Sequence, residues 1–145
     1  MPTSVDKTSP RYYLLATLAA SGLTFFLHTL FYRLTWELHF VEFARSAPQK
    51  GLLVAEYLVF GGLLTFIYPH GYRGGSVWGE GFRFGAVMGA LSFIPIGLSI
   101  RAAWQVPLNF GFYVAALNAI VSGGLTGILI AAIHRSSLRL EPESA

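Results

Sequence analysis

Asn109-Phe-Gly-Phe-Tyr-Val-Ala-Ala-Leu-Asn-Ala-Ile-Val-Ser-Gly-Gly-Leu-Thr-Gly-Ile-Leu-Ile-Ala-Ala-Ile-His134 runs for 26 residues without a formal charge. As a helix rising 1.5 Å per residue it would reach about 39 Å, more than the ~30 Å of a bilayer's hydrocarbon layer. Three further stretches read the same way: Tyr12–Leu34, Gly51–Tyr68 and Arg83–Ile100. A soluble four-helix bundle would show charge on the water-facing side of each helix. Leu14–Tyr32 and Phe84–Ile100 carry none, and Glu56 is the one formal charge well inside a stretch. The expected fold is therefore an all-α integral membrane protein of four transmembrane helices in a compact bundle.

Composition agrees. Apolar residues are 54% and charged residues 12% of the 145-residue chain, against about 25% charged in a soluble domain. The mean hydropathy is +0.56. The domain reading is a tail over 1–11, a transmembrane domain over 12–134 with spans at about 12–34, 51–68, 83–100 and 109–134, and a tail over 135–145. Lys7 and Arg11 precede the first apolar run as in a secretory leader, but the run is longer than a leader's and no small-residue cleavage pattern follows. It reads as an uncleaved first span. With no cysteine, disulfides, thiolate metal sites and thiol catalysis are excluded together.

Four spans put both tails and the middle connector on one side, together with Lys7, Arg11, Arg73, Arg83, Arg135 and Arg139. Arg33, Arg45, Lys50 and Arg101 fall on the other. Basic residues favour the cytoplasmic side, so the expectation is a bacterial-type inner (plasma) membrane with both termini cytoplasmic. Tyr12, Tyr13, Tyr68, Tyr72 and Trp78 would form the inner aromatic belt, and Tyr32, Trp36 and Trp104 the outer. The basic residues are scattered, not clustered as a nucleic-acid footprint would be.

The chain also reads as a tandem of two helical hairpins. Shifting the second span by 62 residues lays Val59, Gly61, Gly62 and Leu63 over Val121, Gly123, Gly124 and Leu125; shifting the first by 68 lays Leu23, Phe25 and Leu30 over Leu91, Phe93 and Leu98. Such a repeat would carry a pseudo-twofold axis along the membrane normal. Small residues at four-residue steps mark helix contacts in lipid. The fourth span has Ala115, Ala119, Gly123, Gly127 and Ala131, and the third has Gly81, Gly85 and Gly89. These two stripes should face each other or a second protomer. Pro95 should kink the third span by crowding the carbonyl of Leu91.

Polar side chains inside the spans are the candidate site, because polar groups in hydrocarbon face the bundle interior. The first span carries Thr17, Ser21, Thr24 and His28 on one stripe; the fourth carries Asn118, Ser122 and Thr126 at four-residue steps; the third adds Ser92 and the second Glu56. His28, Glu56 and Asn118 fall at one depth, roughly 7 Å from the outer ends of their helices by helical rise. With Thr24 and Ser92 they form an expected ligand site built on a His28–Glu56 pair.

The middle connector from Pro69 to Gly85 is rich in glycine, and Arg73 and Arg83 flank a helix start. Exposed amides at a helix N-terminus attract anions, so this is an expected site for a phospholipid headgroup or phosphorylated metabolite, with a Glu80–Arg83 pair as the bland reading. No strand precedes it and no lysine follows its glycines, so neither nucleotide fingerprint applies. No two histidines have zinc-helix spacing and no carboxylates pair for a di-metal centre. His28 and His39 fall outward and His70 and His134 inward, a poor arrangement for haem. No cofactor is indicated and catalysis finds no footing.

Three functions fit these residues. The first is a non-enzymatic accessory or scaffold subunit of a larger membrane complex, or a small homo-oligomer, joined through its glycine faces. The second is a small transporter or channel using the His28, Glu56 and Asn118 level. The third is a lipid- or quinone-associated enzyme.

Overall fold

The computed structural model describes residues 10–35, 49–104, 106 and 108–139. They form α1 (Pro10–Leu34), α2 (Lys50–Gly71), α3 (Val77–Ala103) and α4 (Phe110–Arg139). Each is long and apolar enough to cross a membrane, and together they make an all-α bundle. Trp36, His39, Arg45 and the outer parts of both tails, 1–9 and 140–145, lie outside the described residues.

The helices sit where the apolar stretches predicted, with two marked differences, at the start of α3 and the end of α4. α3 begins at Val77, six residues before the expected start, so the glycine-rich connector shrinks to 72–76. The cause is a cap: Ser76 Oγ accepts from the Gly79 amide at 3.0 Å, which satisfies one of the free donors of the first turn. Gly74, at φ +80°, supplies the left-handed turn just before it. At the start of α4, Asn109 Oδ1 accepts from the Phe112 amide at 3.2 Å. α4 in turn runs past His134 to Arg139, so the tail beyond the expected span starts as helix. α3 continues unbroken through Pro95.

α3 and α4 make the closest pair. A Cβ on Gly81 would come within 2.8 Å of the Gly127 carbonyl and the Ile128 Cα. One on Gly85 would overlap the Gly123 carbonyl, and one on Gly89 the Ala119 carbonyl. The two stripes of small residues meet each other within the chain. Ala115, a turn beyond Ala119, is half-buried.

The two hairpins share a contact register. In the second, Gly123 is set against Gly85 and Gly89; in the first, Gly61 is set against Thr17 and Ser21. Shifting by 62 and 68 residues maps Gly61 onto Gly123, Thr17 onto Gly85 and Ser21 onto Gly89. The expected twofold does not extend to the whole bundle. It would make the α1–α4 and α2–α3 contacts equivalent, yet α1 lies along α4 while α2 barely meets α3. α4 is thus central, with α3 fastened to one side and the α1–α2 hairpin to the other. The core cluster of Ala20, Leu64, Tyr68, Ile130 and Ala131 lies on the α1–α2 side.

Candidate functional site

The polar stripes of α1 and α4 do turn toward each other. Thr24, Ser122 and Thr126 are buried, and His28 and Asn118 half-buried. Thr24 Oγ1 lies 2.8 Å from the Ala20 carbonyl and 3.0 Å from Thr126 Oγ1. A hydroxyl has one proton, and Thr24 donates it to Ala20, so Thr126 donates to Thr24. One turn further, Ser122 Oγ and His28 Nε2 are 3.3 Å apart.

The remaining members of the expected ligand site are not drawn in. Glu56 is exposed on the side of the bundle. Its neighbour Tyr57 takes the place beside His28, with ring centres 5.6 Å apart, and also meets Phe25 at 5.4 Å. Successive helix residues are rotated by about 100°, and a depth argument carries no information about that rotation. Ser92 is exposed on α3 and donates to the Gly89 carbonyl of its own helix at 3.0 Å. No hydrogen bond among the described residues joins Asn118 to His28 or Glu56.

The connector site is altered too. Glu80 accepts from the Arg73 amide at 2.6 Å and from the Gly75 amide at 2.7 Å. Amides that an external anion could have used are filled by the chain's own carboxylate, which therefore bonds the connector where the sequence suggested a pair with Arg83. Arg73 and Arg83 are both exposed.

A second polar level lies at the connector end of the bundle, where α1 starts and α4 finishes. His134 is 0% exposed. Its ring is bordered by Tyr12 at 5.1 Å, Tyr68 at 5.5 Å and Tyr72 at 5.1 Å, each steeply inclined to it. Tyr12 donates its hydroxyl to the Thr65 carbonyl at 3.2 Å, which ties α1 to α2. Both ring nitrogens of His134, the Tyr68 hydroxyl and Thr65 Oγ1 are buried without a hydrogen-bond partner, as is Ser21 Oγ midway along α1. Buried polar atoms are nearly always paired, so a cluster of unpaired ones calls for a guest or a function.

No protein-family model, curated protein or solved structure matches this chain.

The box was within reach of the sequence. The four-residue steps Asn118, Ser122 and Thr126 continue through Ile130 to His134, and Tyr12, Ala16, Ala20 and Thr24 form the facing row on α1. Assigning Tyr12, Tyr68 and Tyr72 to an interfacial belt hid them. Buried and half-buried polar side chains thus recur along the faces of α1, α2 and α4 as a column of separate levels, His28 with Ser122, Thr24 with Thr126, then Ser21 and Thr65, then Tyr12, Tyr68 and His134, with the apolar Ala20, Leu64 and Ile130 packed among them. From His28 to Tyr12 along α1 it spans about 24 Å by helical rise. Hydroxyls and imidazoles both donate and accept, and the pairs His28–Ser122 and Thr24–Thr126 are within hydrogen-bond distance, whereas Ser21, Thr65, Tyr68 and His134 have side-chain atoms without a partner. Among the described residues no three His, Cys, Asp or Glu side chains gather as a metal would require.

Proposed function

We propose that this chain is a small membrane transporter or channel for a minimal polar species, its route following the polar column between α1, α2 and α4. The observation that carries this reading is the set of buried, unpartnered polar atoms on Ser21, Thr65, Tyr68 and His134. Polar groups at membrane depth that face a bundle interior mark ion, proton or substrate routes. The column replaces the His28, Glu56 and Asn118 site drawn from the sequence, retaining His28 and Thr24.

The scaffold reading relied on free glycine faces. Those faces are occupied by each other at the α3–α4 contact, which weakens it. One observation still favours docking onto a second copy or a larger membrane complex: Glu56 is exposed within an apolar span, near enough to Tyr32 and Tyr57 to act on both electrostatically. A bacterial-type inner membrane with both termini cytoplasmic accompanies the proposal, on the side bias of the basic residues.

The test is reconstitution into lipid vesicles, with proton flux followed by an enclosed pH dye under an imposed potential and water flux by osmotic shrinkage. One of the two rates should exceed that of empty vesicles and should fall to that level in the Thr24→Val/Thr126→Val double variant. Rates equal to empty vesicles for both species, or rates indifferent to loss of the two hydroxyls, would overturn the reading.

A further inference from the structure

We propose that His134 is a reversible proton-binding site, caged by Tyr12, Tyr68 and Tyr72 at the connector end of the column. The inference rests on the column reading for the route by which the proton travels, and it names the species that the column serves.

The argument begins with space. The imidazole itself fills the centre of the tyrosine box, with three rings at 5.1–5.5 Å and no exposed surface. An organic cation or an anion would have to displace a side chain to enter. A proton requires no volume. It adds to the lone pair of the ring nitrogen that lacks one, forming an N–H bond, and leaves by the reverse step with no other bond broken.

Burial costs the charged ring its hydration, and its neighbours are what could offset that cost. Tyr12, Tyr68 and Tyr72 meet the imidazole in steeply inclined, edge-type contacts, and a ring that turns its face to an imidazolium attracts it through its quadrupole. Thr65 and Tyr68 bring oxygens without partners to the same end of α2, and an imidazolium offers only donors. The ionisable groups nearest it are Tyr12 from α1 and Tyr68 and Tyr72 from α2 and its cap, with Glu80 of α3 bonded to the connector that adjoins them. On α4 itself Arg135 is next in sequence but exposed. Glu80 is the one carboxylate in that set, and its hydrogen bonds to the Arg73 and Gly75 amides hold it at the connector mouth. The box thus combines a buried base, three aromatic neighbours and a carboxylate held in the adjoining connector.

The test uses the full chain in lipid bilayers with 15N-labelled histidine, carrying His28→Asn, His39→Asn and His70→Asn so that His134 is the sole histidine. Neither His28 nor His70 is among the rings that border His134. As the pH is lowered from about 8 to about 4, the range in which histidine changes charge, the two unequal ring nitrogen signals of neutral imidazole should converge to the near-equal pair of imidazolium. They should separate again when the pH is restored, with the helical circular dichroism unchanged throughout. Signals that stay unequal over the whole range, or that converge only as the helices unfold, would overturn the proposal. Vesicle flux is read separately, on the unsubstituted chain, because His28 belongs to the column. Flux without titration removes the proton site and leaves the column; titration without flux removes the column as a route and leaves the site.

Discussion

Thr126 gives its hydroxyl proton to Thr24, which passes its own to the Ala20 carbonyl. In Thr126→Val the proton of Thr24 keeps its acceptor, so no donor is orphaned. The expected loss is small, about 0.6 kcal/mol, the usual worth of an interhelical hydrogen bond in a membrane. Denaturant-induced unfolding in mixed micelles would measure it. Glu56→Gln is the contrasting case. With the side chain on the bundle surface and away from His28, the exchange should shift stability by less than about 0.5 kcal/mol and leave vesicle flux unchanged, whereas a role in docking would appear as a lower native mass. These two residues also mark how far sequence carries at this scale. Which residues are polar, and at what depth, follows from counting. Which of Glu56 and Tyr57 turns inward depends on a rotation of about 100°, and that is set by packing against Phe25 and His28.

At the scale of elements, glycine means opposite things in different helices. Gly22 on α1 has nothing within 4 Å of where a Cβ would stand, whereas a Cβ on Gly85 would overlap the backbone of α4. Gly22→Ala should therefore stabilise the protein by up to about 1 kcal/mol, through helix propensity alone. Gly85→Ala must push two backbones apart and should cost about 3 kcal/mol, at the upper end for overpacking. Unfolding of the two variants side by side tests the pair, and equal effects would contradict the close α3–α4 approach. The stripes of Gly81, Gly85 and Gly89 and of Ala119, Gly123 and Gly127 were legible because four-residue periodicity is a property of the chain. Whether they met each other or a second copy was not, since periodicity is silent about the partner. The early start of α3 escaped for a related reason: Gly79 read as a loop residue until the Ser76 cap gave it a place in the first turn of a helix.

For the whole molecule, the four spans were legible because hydrocarbon thickness fixes the length of an apolar helix and leaves little freedom. The arrangement of the two hairpins was not. Their internal registers match, but the contact between them is unequal, α1 taking the side of α4 that α3 leaves open. Nothing in a repeat of sequence specifies how two copies dock. Four crossings nonetheless commit the connectors to opposite faces. Gly71 and Ser136 belong to one end of the bundle, Gly51 and Ala103 to the other, and all four are exposed. A chain without cysteine lets each position be tested alone. In sealed vesicles of uniform orientation, a membrane-impermeant thiol reagent added outside should label Gly71→Cys and Ser136→Cys alike, and should treat Gly51→Cys and Ala103→Cys alike in the opposite sense. None of these sites alters an arginine or lysine, so the charge bias that orients the chain is preserved. Labelling of Gly71→Cys and Ser136→Cys from different faces would mean an odd number of crossings between them. α3 and α4 could then no longer lie antiparallel, and the α1 and α4 partners at each level of the column would no longer share a depth.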